Sequence, residues 1–416
     1  MKKHMLCYIL TIGCGMLLSC NSPSAKIESL ETISVGKAYA NLTKLKVSDY
    51  FQTVRYVPLE TNDSVLVGDN PKLCVYKDLL IVSSPQEQCY VFSKGDGRFL
   101  HPIGHIGNDP EGCSDLVGWL NAASGYLYFN RGNKDFSIYD VNGQFVGTTQ
   151  DIETNRGLFG IESMDYLDAQ MLVKHLPATN EKPDRIILFR DTTRIATFPT
   201  NNEKVSGHNG DFSNSAGYDF VVDVLGGRQM LNIEFDKEKH LAVIVGEHPF
   251  WHVGEKLYFR EHFNDTIYQV TKEGLLPERR FDFGDMTWKR EDRYDTQKDH
   301  AIYPVEVHEN DRILWLRFLV DLFDNDKRKA YNALYLKETG EVKVAAYEEG
   351  LENDLNGFLP LQPTFVTADG EFAQIIPAET IAEWFEEHPD VAELPEEVKA
   401  LKGITTEDNP VVVLMK

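Results

Sequence analysis

The chain has 416 residues, 42% of them hydrophobic, enough apolar material for a sizeable core in one large domain or two ordinary ones. Sixty-five acidic residues oppose 42 basic ones, for a formal charge of −23. That balance repels phosphate backbones and leaves no basic stripe for nucleic acid, and the apolar content excludes a disordered chain.

The chain opens with "MKKHMLCYILTIGCGMLLSC": two lysines, an apolar run from Met5 to Leu18, then Ser19 and Cys20. This is the layout of a secretory signal, and the run is too short for a comfortable membrane span. Leu17, Leu18, Ser19 and Cys20 resemble the lipobox of bacterial lipoproteins, which implies cleavage before Cys20 and acylation of its sulfur. A plain secretory signal cut at another point is the alternative. On the lipobox reading, residues 1–19 are the signal, 20–32 a lipidated tether and 33–416 the folded part. Several acyl chains anchor a protein stably where one holds it reversibly. Cys74, Cys89 and Cys113 remain in the folded part, and either one disulfide with a free thiol or three reduced cysteines fits their spacing. No CxxC or Cys/His zinc pattern is present.

From Thr53 onward the dominant signal is period-2 alternation in short runs broken by turn residues, which predicts an all-β fold. A unit recurs in which two strand pairs are joined by tight polar turns, usually ending in glycine. It is seen at 79–103 with the turn Asp96-Gly97, at 125–147 with Asn142-Gly143, and at 170–198 with Asp191-Thr192. It returns at 259–285 with Glu273-Gly274 and at 313–345 with Thr339-Gly340. Such four-stranded meanders are what β-propeller blades look like. A sixth blade is predicted from the hairpin 364–376, which turns at Asp369-Gly370, completed by "TVRYVPLE" (53–60) and the final "PVVVLMK". Pairing the two ends in one blade closes the ring and removes open edges. The expectation is therefore a six-bladed propeller. The stretch 201–247 contains one more hairpin, "QMLNIEFDKEKHLAVIV", which fits either a long insertion or a seventh blade.

Between the last hairpin and the closing strand, residues 377–403 have helical periodicity. Ile381, Trp384 and Phe385 fall at i, i+3 and i+4, Pro377 stands at the start and Pro389 ends the run. A second short helix is predicted from about Pro395 to Gly403. The insertion is expected to cap one face of the ring, with a partner-binding helix as the alternative.

With "VRYVPLET" (54–61), "YVFSKGDGRFLHPIGHIG" (90–107), "HFNDTIYQV" (262–270) and "DNPVVVL" (408–414) in view, nearly the whole mature chain resembles the six-bladed β-propeller lipoproteins of Bacteroidota, relatives of NHL-repeat and TolB-like propellers. Where such relatives continue the second piece with a glycine-rich link, this chain has "GNDPEGC" (107–113), with Asp109 and Cys113 in place of a glycine and an aromatic. The resemblance implies the fold and an envelope location, and it carries over no catalytic residues. The absence of an acidic cluster after Cys20 points to the periplasmic face of the outer membrane, with surface exposure as the alternative.

The densest polar constellation is 259–285, preceded by "HPFWH" (248–252). In "KLYFREHF" alternation puts Leu257, Phe259, Glu261 and Phe263 on one side and Tyr258, Arg260 and His262 on the other. Asn264 and Asp265 read as turn formers. His248, Trp251, His252, Arg260 and His262 form a candidate ligand-binding set, in which aromatic rings beside an arginine suit a sugar or peptide. Pro249 argues against the helix that two histidines four apart would need to hold a metal. "DLFDNDK" (321–327) offers Asp321, Asp324 and Asp326 as candidate calcium ligands, without the EF-hand order. No GxSxG, HExxH or P-loop is present. The expected function is an envelope lipoprotein that binds a ligand, a glycan or a protein without chemistry. A calcium-assisted hydrolase or lyase and a scaffold subunit of an envelope uptake complex are the alternatives.

Overall fold

The computed structural model describes residues 30–84, 88–132, 135–150, 163–176, 185–200, 217–222, 229–236, 239–245, 249–261, 263–289, 300–322, 324 and 326–416. Among them, seven antiparallel meander sheets follow one another along the chain, with one small accessory sheet. The first sheet is Lys72–Tyr76, Leu79–Ser84, Gln88–Ser93 and Phe99–Pro102. The second runs from Trp119–Asn121 to Phe145–Gln150 and the third from Ser163–Tyr166 to Thr193–Pro199. The fourth has three described strands, Gly217–Val222, Gln229–Asp236 and Lys239–Val245. The fifth runs from Phe250–Val253 to Leu275–Phe281 and the sixth from Tyr303–Glu309 to Glu341–Ala346.

The count corrects the expectation of six blades: seven blade sheets are described. The additional one is the fourth, in the stretch that fitted either an insertion or an extra blade. The sequence hid it because its first strand, "GYDFVV", follows a run rich in Asn, Gly and Ser that reads as loop.

The seventh sheet is built from both ends of the chain. Phe365–Val366 and Phe372–Ile376 pair with Val411–Met415, which pairs in turn with Val54–Pro58. Register is set residue by residue, with Tyr56 opposite Val413 and Gln374 opposite Val413 from the other side. The turn at Gly97 docks on this closing strand: Gly97 has φ +74, and the carbonyl of Pro58 occupies the place a Cβ would take. Where the third sheet turns without glycine, Asp191 itself adopts φ +50, a conformation short polar side chains tolerate.

Apolar cores lie between neighbouring sheets and form a closed series. They join first to second (Val91, Phe129), second to third (Tyr128, Phe189), third to fifth (Val173, Phe259), fifth to sixth (Ile267, Phe318), sixth to seventh (Trp315, Phe372) and seventh to first (Val412, Phe92). The third and fifth sheets thus share a core although the fourth lies between them in the chain, so the seven sheets are counted along the chain and six of them close this series. The first strands of successive sheets adjoin one another, as Phe250–Val253 does Tyr303–Glu309 and Phe365–Val366 does Lys72–Tyr76, so these strands line the centre.

Meander topology gives the two faces different connections. Turns between first and second and between third and fourth strands lie on one face. Links between second and third strands, and from blade to blade, lie on the other. The turn face is tight: 77–78, 94–98, 141–144, 254–255, 271–274, 310–312 and 337–340. The link face carries 103–118, 321–328 and 347–364, plus the insertion between Ile376 and Val411. That insertion holds the helices Ala378–Glu387 and Glu396–Lys399. Ile381 and Phe385 are buried there, and Trp384 packs edge-on against Phe358 of the accessory sheet at 4.6 Å.

Candidate functional site

The strand Phe250–Val253 places its side chains alternately into two different interfaces. Trp251 faces the sixth sheet, where its indole Nε1 donates to Glu309 Oε2 at 2.6 Å. His252 faces the third sheet, where its Nε2 lies 2.8 Å from Asp165 Oδ1 and its ring stacks on Tyr166 at 4.0 Å and 14°. Two residues adjacent in sequence therefore belong to separate polar clusters.

The Glu309 cluster is saturated. Besides Trp251, its carboxylate receives Arg279 Nη1 at 2.5 Å and Lys337 Nζ at 2.6 Å, and its side chain is 0% exposed. Two cations and an indole N–H satisfy one buried anion, which is what makes burying it tolerable. Burial alone would lower the Arg279 pKa, but the pairing with Glu309 more than offsets it and raises it. Tyr335 on the sixth sheet donates to Glu31, tying the strand Glu31–Ile33, which pairs with Leu275–Phe281, to the same region.

The Asp165–His252 pair is not saturated. Asp165 Oδ1 also accepts from the backbone N–H of Tyr166 at 2.7 Å, whereas His252 Nδ1 is buried with no hydrogen-bond partner among the described residues. A carboxylate fixes the ring through one nitrogen and leaves the other to donate or accept, depending on tautomer. No hydroxyl or thiol is hydrogen-bonded to that ring among the described residues, so the pair can orient a ligand or a water but is not coupled to a nucleophile.

Arg260 is 4% exposed and acts as a strut, its Nη2 donating to the carbonyl of Pro304 at 3.1 Å and its Nη1 to the carbonyl of Glu261 at 3.1 Å. One blade on, Arg317 repeats the device: its Nη2 reaches the carbonyl of Pro363 at 2.5 Å and its Nη1 reaches Glu306 Oε2 at 2.8 Å. Each arginine pins the start of the next blade. Glu261 faces the third sheet and accepts from Thr200 at 3.1 Å, as the alternation predicts. Phe263 breaks it: with φ +54 it packs instead against Trp288 and Tyr303. Asn264 forms the turn, accepting from the backbone N–H of Thr266 at 2.9 Å. Asp265 does not cap it, contrary to the sequence reading. Burial pushes the Asp265 carboxyl up to about 6, against the opposing pull of Arg260 and Arg280.

The candidate calcium loop is engaged internally. Asp324 holds Lys327 at 2.6 Å and the backbone N–H groups of Asp326 and Lys327, while Asp321 faces His300 at 3.1 Å. The hydrogen bond from Lys327 holds the Asp324 carboxyl below the usual range. Among the described residues no group of three or more His, Cys, Asp or Glu side chains is placed to hold a metal ion. Cys74, Cys89 and Cys113 are free thiols gathered in the core between the first and second sheets, and burial pushes Cys74 up to about 11. His248, His262 and Cys20 lie outside the described residues.

Trp251, His252 and Arg260 are therefore not brought together. Of the partners that explain them, Asp165, Glu309, Lys337 and Pro304 come from other blades and Arg279 from the far strand of the same blade, and no spacing signal in the sequence marks them.

A family model described as a domain of unknown function (DUF4934) matches residues 30–416. Among solved structures, a Bacteroides fragilis protein described as exported is 14% identical, with a TM-score of 0.59 over 92% of this chain and 99% of that one. That likeness shows the fold. The β-propeller domain of Cps50 (Swd1) from Myceliophteria thermophila is 8% identical, covering 70% of this chain and 88% of that one, with a TM-score of 0.34, and carries no argument. No curated protein matches this chain. No helix among the described residues is long and apolar enough to cross a membrane.

Proposed function

For a chain that belongs to the DUF4934 family, we propose a lipid-anchored envelope propeller that binds a glycan, peptide or protein at its link face, without chemistry. The observation that carries this reading is the one-sided elaboration of the ring. The turn face consists of connections a few residues long, while the link face carries two helices, an accessory sheet and the longest links. A rigid scaffold with elaborated loops on one side is how propellers and barrels present binding surfaces. The buried polar groups support the non-catalytic half of the proposal. Glu309 is fully paired and Asp165 is held by His252 and a backbone amide, so neither carboxylate is free to act as a base. The same pairing weighs against a calcium-assisted hydrolase built on inner-strand carboxylates. Envelope anchoring through Cys20 rests on the Leu17–Cys20 motif.

The test uses purified protein on an array of envelope glycans and peptides. Binding by the intact protein, lost when 378–408 is replaced by a short Gly-Ser turn and kept when the turn 271–274 is altered, supports the reading. Robust turnover of a glycan or lactone that is lost in His252→Ala would overturn it.

A further inference from the structure

We propose that the turn face, at the corner formed by the third and fifth sheets, lies against the lipid headgroups and that the link face points away from the bilayer. The inference rests on the reading of Cys20 as the lipid anchor, and its first support is strand direction. Glu31–Ile33 forms a parallel fifth strand on the outer edge of the fifth sheet, with Glu31 opposite Arg279 and Ile33 opposite Phe281. Leu275–Phe281 begins at the turn 271–274 and climbs toward the link face. A strand parallel to it runs the same way, so at Leu30 the described chain faces back toward the turn side. Ten Cα steps separate Cys20 from Leu30 and span at most ~36 Å even when fully extended. Glu31 itself lies at the turn side, opposite Arg279, whose partner Glu309 adjoins the turn 310–312 and also binds Lys337 of the turn 337–340, so that reach starts from the turn face.

Charge is the second support. The insertion 377–410 holds ten acidic residues against two lysines, and the links 103–118 and 347–364 hold three and four acidic residues with no lysine or arginine. On the turn face bases sit beside acids: Lys77 with Asp78, Lys94 and Arg98 with Asp96, Lys272 with Glu273, Arg312 with Asp311. An anionic leaflet repels the first face and tolerates the second, within a Debye length of the surface. Apolar exposure is the third. Ile195, 50% exposed, and Leu276, 53% exposed, are the third and second residues after the turns of the outer strands of the two sheets that meet at this corner. Both are placed to enter the headgroup boundary.

The experiment uses full-length protein in vesicles of phosphatidylethanolamine and phosphatidylglycerol whose headgroups carry a nitroxide quencher. Bimane is attached to single exposed cysteines on the turn face, Thr192→Cys and Glu273→Cys, or on the link face, Asp354→Cys and Glu386→Cys. Quenching about fivefold stronger at 192 and 273 than at 354 and 386 is expected. Equal or reversed quenching in protein that mass spectrometry shows to be lipidated overturns the orientation alone. Absence of a lipid adduct, with Cys20→Ser protein equally vesicle-bound, overturns the anchor and the orientation with it.

Discussion

On either side of one strand, Phe250–Val253, two buried carboxylates have opposite fates. Glu309 is enclosed by Arg279, Lys337 and the Trp251 indole, while Asp165 holds the His252 ring and a backbone amide, and that ring keeps a nitrogen with no hydrogen-bond partner among the described residues. A third carboxyl, Asp265, just before the third strand of the fifth sheet, is half-buried with too little compensation, and its pKa is pushed up to about 6. The series runs from a group that is purely structural, through one whose histidine partner keeps spare hydrogen-bonding capacity, to one whose desolvation works against folding at neutral pH. Satisfaction of the carboxylate, rather than its mere burial, separates scaffold from candidate binding group.

The sharpest way to break the comparison is Glu309→Ala, which leaves Arg279 buried and Lys337 half-buried without their anion. A loss of about 3–5 kcal/mol is expected in urea denaturation, because removing one partner strands the others. Asp265 gives the next largest effect and has a pH signature. Its folded-state pKa lies above the unfolded value of 3.8, so between about pH 4 and 6 the folded state binds more protons than the unfolded one. Stability should fall across that window by about 2–3 kcal/mol from this group and be flat with respect to it above. Asp265→Asn should remove that slope and raise the melting temperature at neutral pH. His252→Phe, which keeps the stack on Tyr166 but removes the nitrogen facing Asp165, should cost about 1–2 kcal/mol. Lys272→Ala, breaking the exposed 3.0 Å pair with Asp168, is the baseline and should change stability by less than about 1 kcal/mol.

Much of the fold was legible because strands and turns announce themselves locally. The β-branched run "PVVVLMK" and "TVRYVPLE" could be matched as ring-closing partners, and the glycines at 97, 143, 340 and 370 do take positive φ. The fourth sheet was not counted because its leading strand, Gly217–Val222, follows a run of loop-like composition. The site was largely illegible for a different reason. Asp165 meets His252 across 87 residues and Arg279 meets Glu309 across 30, and these encounters are set by how the blades pack. Strand alternation predicted the facing of Glu261 and Arg260 correctly and failed at Phe263, where a left-handed backbone turns the aromatic toward the next blade.

The most direct test of the central claim, that the link face is the binding face, is hydroxyl-radical footprinting of the vesicle-bound protein with and without the glycan or peptide recovered from the array. Protection of Trp384, His388 and the link 347–364, with the turns 94–98 and 310–312 unchanged, is the predicted result. Protection confined to those turns, with Trp384 as reactive as in the free protein, would contradict it.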